Sequence, residues 1–273
     1  MDDLIRFRLW LVEGEKSPLT VEKYLRDVGT FQVWLGRRPL DKGAVMAFKE
    51  WLVERYATAS VNSMLSSVNG WLSWQGRGEC RVKILKQQRQ AFCPEDKELT
   101  RAEYQRLLQA AGPDRRLFLL MQAICATGIR VSEHKFLTVE ALRRGCAIVR
   151  SKGKTRTVFI PKKLCKILLS YAKTRKISTG SVFLGKNGKP LDRSRIWAMM
   201  KALCAVAGVS EKKVFPHNLR HLFARIFYTM EHDIVRLADI LGHSSINTTR
   251  IYTIETGATH RKQIEKMPLL YIT

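Results

Sequence analysis

Four short segments contain the side chains whose chemistry is most informative. They are Thr127-Gly128-Ile129-Arg130-Val131-Ser132-Glu133, Ser151-Lys152-Gly153-Lys154, His217-Asn218-Leu219-Arg220-His221, and Leu241-Gly242-His243-Ser244-Ser245 followed by Tyr252. Arginine, lysine and histidine side chains bind phosphate oxygens, and a tyrosine hydroxyl can act as a nucleophile. Each segment alone has an ordinary structural explanation, but the order and local spacings of all four together are hard to obtain by chance.

Two other patterns look like ligand motifs but lack required residues. The glycine-rich stretch from Gly180 has P-loop spacing, but Asn187 replaces the Ser or Thr that would hold magnesium. His217 and His221 lie four residues apart, as a zinc pair would, but Asn218 occupies the place of the catalytic Glu of zinc proteases. The sequence therefore argues against a nucleotide site and against zinc hydrolysis.

The chain is strongly basic, with 48 Lys and Arg against 24 Asp and Glu and a formal charge of +24. The excess lies after residue 97, because residues 98–273 carry 32 basic and 12 acidic side chains. Such a charge predicts a polyanionic partner, with nucleic acid as the first candidate and an anionic membrane as the second. With no apolar stretch of about 18 residues, no signal-peptide core and scattered cysteines, we expect a cytoplasmic protein with reduced thiols and no membrane partner.

Apolar spacing predicts four amphipathic helices within residues 1–76, followed by an extended basic stretch. Thr100 and Glu103 have the spacing of a capping box at the start of a further helix. Cys146–Val149 and Thr157–Ile160 predict a hairpin, and Val182–Leu184 predicts another strand. From Ser194 onward the pattern is helical again. The predicted fold is mainly α with a small antiparallel β-sheet.

Taken together, the four segments resemble the tyrosine recombinase (phage integrase) family, particularly its compact Xer-type two-domain members, over almost the whole chain. The family often has Asp where this chain has Asn218. The turn also contains Lys154, which is an alternative to the aligned Lys152. The resemblance implies this catalytic set: Arg130, Lys152, His217, Arg220, His243 and Tyr252.

The resemblance also implies a role for each side chain. The two arginines would clamp the scissile phosphate, and both histidines would add donors to it, with His217 also helping to take the tyrosine proton. Tyr252 would attack phosphorus, and Lys152 would protonate the departing 5′ oxygen. No metal or other cofactor is then required.

The family's architecture implies a two-domain DNA clamp. We expect a helical core-binding domain at 1–78, a basic linker at 79–97, an α+β catalytic domain at 98–257 and a tail at 258–273 that docks on a neighbouring protomer or on its own domain. The expected partners are double-stranded recombination sites, a homotetramer on two duplexes and accessory DNA-bending proteins. Predicted DNA contacts lie on the fourth helix, in the linker and near the catalytic residues: Asn62, Ser66, Asn69, Arg81, Lys83, Arg156 and Arg250.

The implied function is site-specific recombination through a 3′-phosphotyrosyl intermediate and a Holliday junction, in the integration and excision of a mobile element or phage. Three alternatives stay open at the level of sequence. They are chromosome dimer resolution, type IB topoisomerase activity, and DNA-binding regulation without catalysis.

Overall fold

The computed structural model describes residues 3–86, 98–151, 154–243 and 245–252 together with Glu265, leaving aside the side chains of Ser151 and Lys154. The chain divides into two compact units, residues 1–89 and 90–273. The predicted fold class, mainly α with a small antiparallel sheet, is confirmed. Within the described ranges, no helix is long and apolar enough to cross a membrane.

The N-terminal unit contains the four predicted helices, α1 (Asp3–Glu13), α2 (Pro18–Leu35), α3 (Lys42–Arg55) and α4 (Thr58–Trp74). Ser17 caps α2, because its hydroxyl accepts from Thr20 N at 3.3 Å and Pro18 takes the first helical position. Apolar residues at three-to-four spacing face inward from all four helices. Phe31 lies at their centre, with its ring 4.9 Å from Phe48 and 6.0 Å from Trp71.

The stretch after α4 packs onto this unit rather than leaving it. A 3₁₀ turn, Gly78–Cys80, leads into an extended segment, residues 81–86, in which Val82 is buried in the N-terminal core. Asn69 bonds both backbone groups of Val82, at 2.8 and 3.0 Å, and Asn62 does the same to Leu85, at 2.9 and 2.7 Å. Residues 79–86, which the sequence assigns to a linker, are therefore held by α4.

The C-terminal unit is built from nine described helices and one hairpin. Its helices are α5 (Arg101–Ala110), α6 (Arg115–Thr127), α7 (Val139–Arg144), α8 (Lys162–Thr174), α9 (Arg193–Lys201), α10 (Cys204–Ala207), α11 (Pro216–Glu231), α12 (Ile234–Leu241) and α13 (Ile246–Thr249). The strands β1 (Cys146–Ser151) and β2 (Lys154–Phe159) pair antiparallel, with Cys146 opposite Phe159. The predicted capping box of Thr100 and Glu103 is present at α5.

The prediction of a strand at Val182–Leu184 is wrong. Among the described residues this stretch forms only isolated bridges, from Ser181 to Thr138 and from Leu184 to Pro190. The chain turns through Gly188 at a positive φ of 71°, and Pro190 has no N–H to donate. Because the chain reverses there, the pairing around Leu184 and Pro190 is limited to two backbone bonds, from Leu191 N–H to the Phe183 oxygen at 3.0 Å and from Gly185 N–H to the Lys189 oxygen at 2.7 Å.

Candidate active site

Helix α11 presents three of the important side chains on one side. It begins at Pro216, a residue whose fixed φ suits the first helical position. His217, Arg220 and His221 then follow at spacings of three and four, so they share a face of the helix. The structure brings this face against the 3₁₀ turn Arg250–Tyr252, which carries the predicted nucleophile.

Arg220 is fully buried, at 0% exposure, and its donors meet carbonyl groups at two helix ends. Nη1 donates to the carbonyl oxygen of Gly128, which ends α6, and Nη2 donates to that of Leu241, the last residue of α12, at 2.7 Å. Because the C-terminal end of a helix carries partial negative charge, both helices stabilise the buried guanidinium. The backbone thus fixes this cation in place.

A buried carboxylate joins two further arginines. Glu133 is 2% exposed and accepts from Arg130 Nη1 at 3.0 Å and from the Arg130 backbone N–H at 2.8 Å. It also accepts from Arg156 Nη1 at 3.0 Å and Nη2 at 2.8 Å. Such a two-point pair fixes guanidinium orientation as well as position. Glu133 therefore couples the loop that carries Arg130 to strand β2.

Imidazole rings flank the Tyr252 phenol. Its ring centroid lies 4.7 Å from that of His221, at an interplanar angle of 85°, and 6.0 Å from that of His243, at 17°. The His217 ring lies 4.7 Å from the His221 ring. Tyr252 is 4% exposed and packs with Ala224 and neighbouring apolar residues of α12. The four rings form one continuous group.

The hydrogen bonds of His243 define its tautomer. Its Nε2 lies 3.0 Å from Arg220 Nη2, and its Nδ1 lies 2.8 Å from Thr249 Oγ1. A guanidinium can only donate, so Nε2 accepts and the ring proton is assigned to Nδ1. Burial and the adjacent guanidinium of Arg220 lower the pKa of His243 to about 4, which matches this neutral form.

The site separates neutral imidazoles from cationic arginines. Burial, the nearby His217 and the Arg220 cation lower the pKa of His221 to about 4, and burial followed by Arg220 and Arg130 lowers the pKa of His217. Burial and Arg130 lower the pKa of Arg220 to about 10, while the adjacent Tyr252 hydroxyl opposes that change. At neutral pH Arg220 is therefore charged and the three imidazoles are neutral.

Residues 97–257 match the sequence pattern of the phage integrase family. The chain belongs to this family. It is 30% identical over 273 residues to tyrosine recombinase XerA of Thermococcus kodakarensis, with 97% of this chain and 94% of that protein covered. As a family member it is a site-specific tyrosine recombinase, an enzyme that breaks and rejoins DNA strands.

Solved recombinase structures share the fold. A XerH site-specific recombinase bound to its difH substrate before cleavage superposes with a TM-score of 0.71 and 21% identity, covering 91% of this chain and 79% of that one. A lambda integrase tetramer bound to a Holliday junction gives a TM-score of 0.72 and 18% identity, covering 92% and 76%. The tyrosine recombinase fold therefore accounts for both units of the chain.

The structure brings five of the six predicted catalytic residues of the recombinase to one side of the catalytic unit. His217, Arg220, His243 and Tyr252 are linked by the contacts above, with His221 between His217 and Tyr252, and Arg130 is near enough to Arg220 to lower its pKa. The sixth, Lys152, lies outside the described residues, as does the side chain of its alternative, Lys154. In sequence, Lys152 falls between β1 and β2, whose ends are adjacent.

Some of the residues predicted to contact DNA are exposed, and the others are hydrogen-bonded within the protein. Ser66, Arg81, Lys83 and Arg250 are exposed and stay predictions. Arg156 is half-buried, and both of its terminal nitrogens donate to Glu133. Its sequence position near Lys152 did not indicate this ion pair.

The amides of two predicted base-reading residues are engaged by backbone. Asn62 and Asn69 each bond a donor and an acceptor of the extended segment, so in this conformation their amides bind protein rather than DNA. The cause is that Val82 and Leu85 lie alongside α4 with their main-chain groups facing it. Base readout by these two residues therefore has no support from the structure.

Sequence reasoning missed the roles of two residues in the recombinase site. Glu133 was identifiable only as a neighbour of Arg130, although its i, i+3 spacing from that residue was a usable signal. His221 was weighed only as half of a zinc pair. Among the residues that the structure describes, no group of three or more His, Cys, Asp or Glu is arranged to hold a metal ion.

Proposed function

We propose that the recombinase cuts one strand of its DNA site by attack of Tyr252 on the scissile phosphate. The P–O5′ bond breaks as the bond to the phenol oxygen forms, which leaves a 3′-phosphotyrosyl link and a free 5′ hydroxyl. The link conserves the energy of the ester, so rejoining needs no ATP. The observation that carries this proposal is the shared contact of Arg220, His243 and Tyr252 in the strongly basic catalytic unit.

Two arginines neutralise the phosphate in this mechanism. The transition state concentrates negative charge on the nonbridging oxygens, and guanidinium groups match those oxygens in charge and geometry. Arg220 Nε is buried and has no hydrogen-bond acceptor among the described residues, which suits a donor that awaits a phosphate oxygen. Arg130 is anchored on Glu133 through one terminal nitrogen, and among the described residues its other terminal nitrogen has no hydrogen-bond partner. Removing one such preorganised donor costs about 10²–10³ in rate.

In this mechanism the imidazoles of His217 and His243 accept and donate protons. A free tyrosine has a pKa of about 10, so only about one molecule in a thousand is ionised at neutral pH. His217, whose pKa is lowered, is neutral and takes the phenol proton as Tyr252 attacks. In the free protein His243 Nε2 accepts from Arg220. A bound phosphate would raise the pKa of His243, which then gains a proton and donates from Nε2.

The leaving group receives its proton from the hairpin. An alkoxide is a poor leaving group, so Lys152, or Lys154 in its place, protonates the 5′ oxygen as the P–O5′ bond breaks. A 5′ hydroxyl from a second duplex then attacks the phosphotyrosyl bond and releases Tyr252. One such exchange produces a Holliday junction, and a second resolves it.

The recombinase acts as a homotetramer on two duplexes in this proposal, as the lambda integrase tetramer bound to a Holliday junction does. The core-binding domain, 1–78, and the catalytic domain, 98–257, close around each duplex as a clamp. The tail, 258–273, docks on a neighbouring protomer. We also propose that accessory DNA-bending proteins assist the recombinase and that it acts in the cytoplasm.

The biological role that we propose is integration and excision of a mobile element or phage. The likeness to XerH bound to difH keeps chromosome dimer resolution as a second candidate. Sequencing of the genomic DNA that the recombinase binds separates the two. Sites at both ends of an element support integration and excision, whereas one chromosomal locus supports dimer resolution.

A half-site substrate that loses its 5′ fragment after cleavage tests the chemistry, since it traps the covalent adduct. Wild type should form an adduct that Tyr252→Phe cannot form. The matched control is Tyr228→Phe, since Tyr228 belongs to the same apolar cluster but is not in the proposed mechanism. Adduct formation by Tyr252→Phe at the wild-type level would remove Tyr252 as the nucleophile. Relaxation of supercoils without joining of two sites would indicate a topoisomerase.

A further inference from the structure

His221 is the one imidazole of the site that the proposed chemistry leaves without a role. It contacts the nucleophile more closely than His243 does, with ring centroids at 4.7 Å rather than 6.0 Å. Its plane stands at 85° to the phenol, which is the edge-to-face geometry that aromatic pairs favour. The His221 ring also contacts the His217 ring, with centroids 4.7 Å apart and an interplanar angle of 69°.

The phenol ring has packing partners on two helices. His221 and Ala224 come from α11, and Leu237 and Leu241 come from α12. The Tyr252 hydroxyl lies close enough to the Arg220 guanidinium to raise its pKa. Since Arg220 is adjacent to His221 in sequence and is itself fixed by two helix ends, a ring held against His221 has its hydroxyl directed at a fixed cation.

The His221 ring is also uncharged at neutral pH. The charged and titratable groups near it are Tyr252, His217, Arg220 and His243, and burial, followed by the last three, lowers its pKa to about 4. A neutral ring can pack edge-on against the phenol without adding to the positive charge of the site. A protonated ring would repel Arg220.

We propose that His221 is a positioning residue for the nucleophile, whose ring holds the Tyr252 phenol so that the hydroxyl faces Arg220 and the scissile phosphate. This inference rests on the proposed function, because it assigns Tyr252 the attack on phosphorus. The shape of the ring is what matters. A ring without nitrogen atoms should therefore serve nearly as well, whereas loss of the ring leaves the phenol free to rotate away from its line of attack.

The test is single-turnover adduct formation by the full chain, with saturating protein and two half-site substrates. One substrate has the natural 5′ oxygen and the other a bridging 5′ sulfur, whose thiolate departs without a proton, so that only defects in leaving-group protonation are rescued. His221→Ala should slow adduct formation about 10- to 100-fold on both substrates, because misplacement of a reacting group by about 1 Å costs up to that factor. His221→Phe should restore most of the rate on both.

A core truncation away from the site controls for stability. Leu164→Ala in α8 removes a buried side chain that the structure places in the main core, not against Tyr252. It should lower stability while leaving the rate per bound molecule unchanged, and DNA affinity should be the same for all variants.

Three results would overturn the inference. They are a wild-type rate for His221→Ala, rescue of His221→Ala by the sulfur substrate, and a His221→Phe variant as slow as His221→Ala, which would make the imidazole a proton relay from Tyr252 to His217. Failure of the wild-type chain itself to form an adduct would instead contradict the proposed function.

Discussion

Glu133 influences the site as the anchor of Arg130, because it accepts from both the side chain and the backbone N–H of that residue. We expect Glu133→Gln to slow adduct formation about 100-fold, since it releases a preorganised phosphate donor. It should also lower the free energy of unfolding by about 3–5 kcal/mol, because the half-buried Arg156 loses its counter-charge. Single-turnover cleavage and urea unfolding measure the two effects.

The control for Glu133→Gln is a second ion pair in the same unit. Glu103 pairs with Lys213 at 3.0 Å, is 15% exposed against 2% for Glu133, and has no hydrogen bond or ion pair with the proposed catalytic residues among the described residues. Glu103→Gln should therefore destabilise the protein and leave the cleavage rate of the folded fraction alone. Equal loss of cleavage in both variants would mean that Glu133 acts only through stability.

The neutral histidines make stability depend on pH with a definite sign. His221 and His243 have a pKa of about 4 in the folded protein, against about 6.5 for unfolded histidine. Between those values the unfolded chain binds more protons, so their contribution is complete above pH 6.5 and is lost as the pH falls towards 4. From pH 7 to pH 5 we expect a loss of about 1–2 kcal/mol per histidine.

Hydrogen exchange of peptides from α11, corrected for the intrinsic effect of pH, measures this loss. His221→Phe removes one titrating group, so its stability should fall less over the same range. If wild type and His221→Phe lost the same stability between pH 7 and pH 5, His221 would not be held neutral.

The proposed catalytic side chains lie in short linear motifs, so the sequence could suggest them, whereas it could not suggest the residues that support them. Arg130, Arg220 and Tyr252 were suggested by the order and spacing of four segments together and by the family that those segments resemble. The partner that connects Glu133 to the hairpin, Arg156, lies 23 residues away, and only folding brings it near. The role of His221 depends in the same way on the approach of α11 to a turn some thirty residues later.

At the scale of elements, the helix ends set the spacing of the site, and Gly242 allows α12 to end beside Arg156. Gly242 ends α12 at a φ of +65°, and a Cβ there would lie 2.4 Å from Arg156 Cδ. Gly145 ends α7 at a similar φ of +76°, but a Cβ there would meet nothing within 4 Å. Comparing a substitution at Gly242 with one at Gly145 therefore separates the cost of backbone strain from the cost of a steric collision.

We expect Gly145→Ala to cost about 1 kcal/mol, the strain of a side chain at positive φ. Gly242→Ala should cost about 1–3 kcal/mol more, because the new methyl displaces Arg156 and with it Glu133 and Arg130. Urea unfolding checks the stabilities, and cleavage should fall only in Gly242→Ala. If the two substitutions lowered the free energy of unfolding equally, Arg156 on β2 would be able to move aside without loss of stability.

The sequence identified the regular elements well and the irregular ones poorly. Apolar periodicity predicted α1–α4, two short strand-like runs predicted the hairpin, and the spacing of Thr100 and Glu103 predicted the capping box, because all three signals are local. The polar face of α4 indicated DNA contact, but Asn62 and Asn69 bind the main chain of residues 81–86. A backbone partner leaves no trace in side-chain identity, so no pattern could have revealed this contact.

For the molecule as a whole, the uneven charge predicts how DNA binding responds to salt. Residues 98–273 carry the larger part of the positive excess, and the extended segment adds Arg81 and Lys83 at exposed positions. If about ten phosphates are neutralised, the logarithm of the association constant should fall against the logarithm of salt concentration with a slope near −9. Titration of labelled site DNA at several salt concentrations gives this slope.

Loss of Arg81 and Lys83 together should reduce the magnitude of that slope by about 2 and weaken binding at every sequence alike, because each lost phosphate contact contributes about 1. The backbone of both residues is held by lysines of α3, so their exposed side chains lie on a fixed segment. Loss of Arg6 and Arg8, which are exposed on α1, removes the same net charge. An equal change of slope in the two double variants would mean that DNA binding depends only on the total charge of the protein. The extended segment, residues 81–86, would then make no phosphate contact.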